Sequence, residues 1–264
     1  MTDTPSRSAE PFQLHGIVNL RDAGGQRSAD GRQVRTGVLF RSGQLDQVDG
    51  AGLAELDLAT VFDLRGHDEV DAAPDRLPEG VELVHLDVLA DSREQIATHL
   101  ADLMTQPKLV EEALRSGIVE EHYRSTYRDL VLLDSARAAY AALFTRLAAT
   151  ERPALFHCTA GKDRTGWAAA SLLTLLGVDD ATVTEDYLRS SKPVLDSFQA
   201  VFDRFAELGG DPAALVPVFA VTAEYLQAAR DAAHEEFGGV EGWFRDGLGL
   251  DESVTNALRD RLLT

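Results

Sequence analysis

Cysteine is almost absent from this sequence, because Cys158 is the only one in 264 residues. A single cysteine cannot form an internal disulfide, so the fold does not depend on an oxidising compartment. It also excludes a zinc site made of several cysteines. A lone cysteine is most often a small buried hydrophobic residue. Any chemical role for this one must therefore be argued from the residues around it.

Basic residues are scarce as well. The sequence has 25 lysines and arginines against 44 aspartates and glutamates, which gives a net charge of -19. Nucleic acids and anionic membranes attract basic surfaces, so neither is expected as a partner. A small anionic substrate fits this charge only if positive side chains are concentrated at its binding site.

Long apolar runs are missing too, and none approaches the length of a membrane span, so no integral membrane association is expected. Residues 1–11 are polar, lack the apolar core of a signal peptide and are expected to form a disordered tail. A cytoplasmic location is the default expectation, and export by a route that needs no signal peptide stays open. Residues 12–264 have an ordinary globular composition and are predicted to form a single domain.

Short apolar segments alternate with helical patterns along this domain. Residues 60–65 and 81–88 are predicted strands, and another strand is predicted to end at Phe156. Strands separated by helices predict an α/β fold with a mostly parallel central sheet flanked by helices on both faces. The helical segment 92–133 lies between two strands and is predicted to be either a lid over the ligand site or a crossover on the sheet.

The segment FHCTAGKDRTG, residues 156–166, connects the last predicted strand to a helix that Gly177 closes. A strand that turns tightly into a helix presents backbone N–H groups to an anion, at the end of the sheet where ligands bind. Cys158 and Arg164 are separated by five residues of this loop. The loop is therefore predicted to hold a phosphate over a thiolate.

Each residue type in the loop fits displacement at phosphorus. Cys158 is the predicted nucleophile, since a helix N-terminus favours the thiolate. Arg164 offers a planar fork for two phosphoryl oxygens. His157 is expected to orient the loop, and Thr165 to offer its hydroxyl to the sulfur. The residues predicted to hold the phosphate are Thr159, Ala160, Gly161, Lys162, Asp163 and Arg164.

The residue that protonates the leaving group has three candidates. Asp163 lies inside the loop, Asp91 follows the strand predicted at 81–88, and Asp87 is the third choice. Lys162 adds positive charge, which would favour substrates with more than one phosphate.

Four charged residues outside the loop are equally compatible with structural ion pairs and with a role at the site. They are Arg21, Arg41, Asp63 and Arg65. The pair Gly161-Lys162 does not make a nucleoside-triphosphate loop, because Asp163 stands where that motif needs serine or threonine.

The segment 157–166 resembles the signature of the cysteine-dependent protein tyrosine phosphatases. More narrowly, it resembles the bacterial tyrosine/serine phosphatases that include the mycobacterial PtpB-type enzymes. Four further segments match that family in order and span nearly the whole chain, namely 19–22 (NLRD), 40–43 (FRSG), 62–65 (FDLR) and 239–246 (GVEGWFRD).

The resemblance implies a phosphatase fold with a helical lid, no metal or other cofactor, and hydrolysis of phosphotyrosine through a phosphocysteine intermediate. It implies phosphoprotein substrates and inorganic phosphate as a product. The pair Lys162-Asp163 resembles family members that also accept phosphoserine, phosphothreonine and phosphoinositides. The chain departs from the family in lacking a Trp-Pro-Asp triplet for the acid, and residues 85–91 occupy that place.

Two other functions compete with this one. A rhodanese-like sulfurtransferase also uses a loop cysteine, and residues 61–65 are similar to the opening strand of that fold. The histidine before Cys158 and the Thr-Gly pair after Arg164 argue against it. A phosphate-binding module without turnover would normally lose the nucleophile, the arginine or the acid, and all three residue types are present here.

Overall fold

A computed structural model of the chain describes residues 16–48, 50–92 and 107–264. Its centre is a five-stranded sheet in the order β1-β2-β5-β3-β4. The short β1 pairs antiparallel with β2, and the other neighbours are parallel, which confirms the mostly parallel sheet. The strands are β1 (Arg21–Asp22), β2 (Leu39–Ser42), β3 (Thr60–Asp63), β4 (Glu82–His85) and β5 (Ala154–His157).

Helices fill most of the remaining described residues. Those before β5 are α1 (Gly50–Ala54), α2 (His67–Ala72), α3 (Pro107–Arg115), α4 (Ile118–Leu132) and α5 (Asp134–Ala149). Those after β5 are α6 (Arg164–Leu175), α7 (Asp180–Leu188), α8 (Ser191–Ser197), α9 (Gln199–Glu207), α10 (Val216–Phe219), α11 (Ala223–Phe237), α12 (Val240–Gly242) and α13 (Glu252–Leu262). A 3-10 turn at Pro212–Leu215 precedes α10, and a π-helical turn at Trp243–Gly247 follows α12.

The two faces of the sheet are covered unequally. Alternate side chains of a strand point to opposite faces, so Phe62 and Phe156 join the large core formed with α4, α5, α6 and α11. Phe40, Val61 and Leu155 join a smaller core, where residues between 45 and 58 pack against them. The side chains of α2 are not buried. Helices thus lie on both faces of the sheet, and the face that carries α4, α5, α6 and α11 has the thicker layer.

Helix α6 is buried on nearly all sides, as expected for a run as apolar as Trp167 to Leu175. Trp167 and Trp243 meet edge to face in the large core, with ring centroids 5.1 Å apart. This packing fixes the N-terminus of α6, and with it the loop that leads into the helix.

A third, separate core joins α3 to the helices between α7 and α11. Val110 and Leu114 of α3 contact this cluster, which Phe202, Phe205 and Phe219 also build. Helix α4, in contrast, buries Tyr127, Leu130 and Val131 completely in the large core. The lid or crossover predicted at 92–133 falls partly outside the described residues, which omit 93–106, and stays a prediction as a whole.

One stretch, Pro212–Phe237, has the length and composition of a helix that could cross a membrane. Such a stretch was not expected from the apolar runs of the sequence. It consists of the 3-10 turn, α10 and α11, and α11 buries Leu226, Ala229 and Ala233 in the large core. Core helices of globular domains meet the same criteria.

The carboxyl ends of four strands meet at one edge of the sheet. The register aligns Ser42 with His157, His157 with Asp63, and Asp63 with His85. The residues that follow these positions therefore converge, and the loop that begins at Cys158 lies in the middle of them. The sequence placed the ligand site at this edge.

Candidate active site

Cys158 directly follows β5 and lies at the bottom of the loop that leads into α6. Its side chain is buried, with 2% of the residue exposed, and it forms no disulfide. The backbone N–H groups of residues 159–163 donate no hydrogen bond to any described residue. They stay available to an anion held above the sulfur.

The carbonyl groups of the loop are bound from outside, which explains why the N–H groups face inward. The carbonyl of Thr159 accepts from the N–H of Gln44 (3.0 Å). The carbonyl of Gly161 accepts from Asn19 Nδ2 (2.8 Å) and from Arg41 Nη2 (3.0 Å). Peptide groups are planar, so holding a carbonyl outward turns the next N–H toward the loop interior.

Gly161 is required at its position in the loop. Its φ is +67°, and a Cβ added there would lie 2.3 Å from the carbonyl oxygen of Ser42. No other residue combines this left-handed conformation with so close an approach of two backbones. Glycine is therefore needed at this position.

Arg164 begins α6, and its guanidinium is bound by a residue that the sequence did not indicate. Glu69 of α2 accepts from Nη1 (2.5 Å) and Nη2 (2.8 Å) of Arg164, and also from the hydroxyl of Thr159. Burial alone would raise the pKa of Glu69, but the hydrogen bonds from Arg164 lower it to about 2. Burial alone would lower the pKa of Arg164, and its bonds to Glu69 raise it above the usual value instead. The pair is fully ionised at neutral pH.

Asp163 is the last residue of the loop, and its carboxylate is partly exposed, at 23%. Its Oδ1 accepts a hydrogen bond from the hydroxyl of Tyr127 on α4 (2.8 Å). Tyr127 is in turn 2.5 Å from the hydroxyl of Tyr187 on α7. The predicted acid inside the loop is therefore held by a buried pair of tyrosines.

Lys162 has its ammonium bound inside the protein. Its Nζ donates to the carbonyls of Val218 (2.7 Å) and Ala220 (3.4 Å) and lies 5.0 Å from the centre of the Tyr123 ring. It is also 3.8 Å from Asp163. The ammonium expected to attract additional phosphates is thus hydrogen-bonded to main-chain carbonyls in this structure, and its effect on substrates stays a prediction.

The other two candidate acids lie outside the loop. Asp91 is exposed, and its Oδ2 accepts from the backbone N–H of Ser135 in the first turn of α5 (2.9 Å). Asp87 accepts from the N–H of Leu89 (3.1 Å) and lies beside Gly66, which precedes α2. Neither forms a hydrogen bond with the loop residues within the described part of the chain.

His157 connects the loop to a buried ionic cluster. Its Nδ1 lies 3.2 Å from the carbonyl of Cys158, and its Nε2 lies 3.0 Å from Asp75 and 3.9 Å from Asp63. Arg65 bridges the same two carboxylates through Nη2, at 2.7 and 2.9 Å. We call Asp63, Arg65, Asp75 and His157 the buried ionic quartet. His157 thus links the first residue of the loop to this quartet, and its role in orienting the loop stays a prediction.

Three members of this quartet could also hold a metal ion by their spacing. The ligand atoms of Asp63, Asp75 and His157 lie within 4.8 Å of one another. The guanidinium of Arg65 already supplies a cation between the carboxylates. The pKa of Asp75, which burial would raise, is lowered because His157 and Arg65 stabilise its ionised form.

Arg41 and Arg21 lie beneath the loop and share one carboxylate. Arg41 is completely buried and pairs with Asp186 of α7 (3.2 Å) while it donates to the loop. Arg21 lies 3.6 Å from the same carboxylate and donates to Ser190 Oγ (3.0 Å). Burial and the charge of Arg41 lower the pKa of Arg21 to about 9. Arg41 therefore supports the loop directly, and Arg21 supports it through Asn19, whose side-chain oxygen accepts a hydrogen bond from Arg21.

Thr165 has a buried hydroxyl that forms no hydrogen bond with any described residue, Cys158 included. The bond to the sulfur that the sequence suggests is not formed in this structure. Thr159 uses its hydroxyl to bind Glu69, and Ala160 contributes its backbone.

The functional residues that sequence reasoning missed come from distant segments. Glu69, Tyr127, Asp75 and Asp186 belong to four different parts of the chain, with no motif of their own. Asn19 had a signal, since it opens one of the matching segments, and its φ of +58° is one that asparagine tolerates.

Comparison with known proteins gives a consistent result. The model of the tyrosine phosphatase family matches residues 12–264. The triple specificity protein phosphatase PtpB of Mycobacterium tuberculosis is 33% identical over 95% of this chain and 98% of its own length. A tyrosine-protein phosphatase of Nostoc commune is 29% identical over 87% of this chain and 73% of its own length.

Among solved structures, P. aeruginosa TpbA covers 71% of this chain and 89% of its own length, with 19% identity and a TM-score of 0.35.

Proposed function

The chain belongs to the tyrosine phosphatase family, and from that premise we propose that it hydrolyses phosphotyrosine in proteins through a phosphocysteine intermediate. The observation that carries this proposal is the loop at residues 158–164. Its carbonyls are bound from outside, and the N–H groups of residues 159–163 donate to no described residue. That arrangement suits a phosphoryl group with three oxygens to be held.

The first step is displacement at phosphorus. The Cys158 thiolate forms a bond to phosphorus while the bond from phosphorus to the leaving oxygen breaks. The loop N–H groups and Arg164 hold the three equatorial oxygens. Asp163 gives its proton to the leaving oxygen, so the products are an alcohol or phenol and a phosphocysteine with an ionised Asp163.

The second step reverses these roles. Asp163 removes a proton from water as the water oxygen attacks phosphorus, and the bond between sulfur and phosphorus breaks. Inorganic phosphate is released, and Cys158 returns to its thiolate. All charges and protons balance within this set of residues, and we propose that the cycle runs without a metal ion.

We assign the general acid to Asp163 rather than Asp91. Asp163 lies in the loop and has an exposed carboxylate edge, whereas the Asp91 carboxylate binds the start of α5. The substrate range is proposed to extend to phosphoserine, phosphothreonine and phosphoinositides. The relative from M. tuberculosis is named a triple specificity phosphatase, which supports a range wider than one ester.

The test is phosphate release from an aryl phosphate by the purified chain with excess chelator. We expect turnover without added metal, and we expect Cys158→Ser to abolish it while the variant still binds the substrate. Turnover that survives this substitution, or that appears only with a divalent ion, contradicts the proposal. The same assay with phosphotyrosine and phosphoserine peptides and phosphoinositide vesicles defines the range.

The acid is identified with two substrates that differ in leaving group. We expect Asp163→Asn to slow an alkyl or phenyl phosphate by roughly 10²–10⁴, the usual contribution of a general acid, and a nitrophenyl phosphate much less. Asp91→Asn is the matched control and should leave both rates nearly unchanged. The opposite pattern would assign the acid to Asp91.

A further inference from the structure

Tyr127 is the one described side chain from α4 that donates a hydrogen bond to the loop. It is fully buried, and its hydroxyl is 2.8 Å from Oδ1 of Asp163. A charged acceptor makes this a strong hydrogen bond, because the water that would compete for it is excluded. Asp163 is the residue to which the proposed function gives the proton transfer.

The direction of this hydrogen bond follows from the chemistry of the partners. Burial and the negative charge of Asp163 hold the pKa of Tyr127 well above its usual value, so the phenol keeps its proton. A carboxylate oxygen is an acceptor, so Tyr127 donates to Oδ1. Tyr187 is also buried with a raised pKa, and it can then donate to the oxygen of Tyr127. The two phenols form a chain that ends on one oxygen of Asp163.

We propose that Tyr127 is a positioning residue that holds Oδ1 of Asp163, so that Oδ2 carries the proton to the leaving group. This inference rests on the proposed function, in which Asp163 is the general acid. An oxygen that already accepts a hydrogen bond from a permanent donor is a poor site for a proton. Oδ2 is then the oxygen left for the proton. It lies 3.8 Å from the Lys162 ammonium, which donates its own hydrogen bonds to the carbonyls of Val218 and Ala220. The hydrogen bond from helix α4 fixes the orientation of the carboxyl.

The charged and titratable groups that face Asp163 come from every element packed around it. Burial raises the pKa of the surrounding tyrosines, that of Tyr225 to about 12, and bonding to Glu69 raises that of Arg164. Arg164 and these tyrosines therefore keep their protons between pH 4 and about pH 9 and add no limb to the pH profile there. The groups that face Asp163 are Lys162, Arg164, Tyr123, Tyr127, Tyr140, Tyr187 and Tyr225.

The experiment compares Tyr127→Phe with the native chain, using a phenyl and a nitrophenyl phosphate across the pH range. Loss of the donor disfavours the ionised carboxylate, so Asp163 keeps its proton to higher pH. The alkaline limb of kcat/KM should therefore move up by about one pH unit. Loss of orientation should lower the plateau for phenyl phosphate roughly tenfold, and the plateau for nitrophenyl phosphate much less.

The matched control is Tyr225→Phe, which removes a phenol of the same aromatic cluster whose hydroxyl donates to Pro217 instead. In Tyr225→Phe the alkaline limb of kcat/KM should lie at the same pH as in the native chain. The ratio of the rates for phenyl and nitrophenyl phosphate should also be unchanged. Tyr187→Phe should give a smaller shift in the same direction as Tyr127→Phe, and it provides the test if Tyr127→Phe does not fold.

Asp163→Asn in the same assay separates the two proposals. If it shows no dependence on leaving group, the acid assignment in the proposed function is wrong. A second outcome is that Asp163→Asn slows phenyl phosphate much more than nitrophenyl phosphate, while Tyr127→Phe and Tyr187→Phe behave like Tyr225→Phe. Asp163 is then the general acid, and the positioning role of Tyr127 is overturned. The positioning role is also overturned if Tyr127→Phe lowers the rate equally with both substrates and the alkaline limb does not move. That result is expected when Tyr127 has only a structural role.

Discussion

Glu69 determines which part of the Arg164 guanidinium is left for a substrate. It binds Nη1 and Nη2, and no described residue accepts a hydrogen bond from Nε. An arginine can bind oxyanions along its Nε edge as well as at its end. Glu69 therefore leaves the Nε atom without a described acceptor and limits the motion of the side chain. With a pKa of about 2, it stays ionised throughout the pH range of the activity.

The first prediction concerns Glu69→Gln. An amide keeps one acceptor oxygen but turns an NH₂ group toward a cation, so the guanidinium is held at one point rather than two. We expect kcat/KM for an aryl phosphate to fall roughly tenfold, equivalent to about 1.4 kcal/mol of transition-state stabilisation. Steady-state kinetics at neutral pH measures it.

Glu121→Gln is the control for this substitution, since Glu121 forms an exposed pair with Arg124 on α4. It should change neither kcat nor KM. A rise of kcat/KM in Glu69→Gln would mean that Glu69 competes with phosphate for Arg164, and the positioning role would then be wrong.

At the scale of elements, the loop is shaped by segments far away in the chain. Its carbonyls are held by Asn19 before β1, by Arg41 of β2 and by Gln44 after β2. The strand β5 and the buried helix α6 fix its two ends. The loop thus depends on close contact between two backbones, and Gly161 is where that contact is tightest.

The second prediction concerns Gly161→Ala. An alanine must adopt a φ near +67°, which costs roughly 1–2 kcal/mol, and its Cβ would also collide with the carbonyl of Ser42. The backbone must shift, so the N–H groups of the loop no longer point toward the same phosphoryl group. We expect kcat/KM to fall by about 10² or more, and urea unfolding to show lower stability.

Gly238→Ala isolates the cost of the positive φ from the collision of the Cβ. Gly238 ends α11 with a φ of +76°, and no described atom lies within 4 Å of a Cβ added there. It should lose roughly 1–2 kcal/mol of the free energy of unfolding and keep its activity. Comparable kinetics for the two variants would show that backbone contact at Gly161 does not matter for catalysis.

The sequence predicted the parts of the site that are local in the chain. A strand, a loop with Cys158 and Arg164, and an apolar helix follow one another, and each has its own pattern. Glu69 and Tyr127 escaped prediction because their role depends on how α2 and α4 pack, which no spacing reveals. The burial of the Lys162 ammonium was not predicted for the same reason. The carbonyls that bind it belong to residues 218 and 220, which are distant in the sequence.

The sheet was predicted more fully than the helices around it. Alternation and burial located β3, β4 and β5 to within a few residues, and parallel order followed from the helices between them. The third core, which joins α3 to helices about ninety residues later, has no local signal. Long-range pairing of amphipathic helices is decided by tertiary packing rather than by propensity.

At the scale of the whole molecule, the net charge of -19 acts against the proposed substrate. Around the loop the buried cationic side chains are paired with carboxylates, so the local attraction comes from Arg164 and the N–H groups of the loop. The acidic excess belongs to the chain as a whole. A phosphate ester therefore meets repulsion at long range and attraction at short range.

The third prediction is that kcat/KM for a simple aryl phosphate rises with sodium chloride. Between about 10 and 150 mM salt the Debye length falls from about 30 to 8 Å, which screens the distant acidic groups more than the contacts within the loop. We expect an increase of roughly two- to fivefold. A phosphotyrosine peptide flanked by lysines should show the opposite slope, and a decline for both substrates would contradict the prediction.

The buried ionic quartet has a consequence for how this chain can change over evolution. Removing one partner from a buried ion pair leaves the other charge buried and unpaired. This typically destabilises a protein by about 3–5 kcal/mol, a large part of its total stability. Asp63, Arg65, Asp75 and His157 therefore cannot be exchanged one at a time without an intermediate that folds poorly. Among descendants of a common ancestor, these four positions should be inherited or replaced together. They form one heritable unit, although the sequence spreads them over 95 positions.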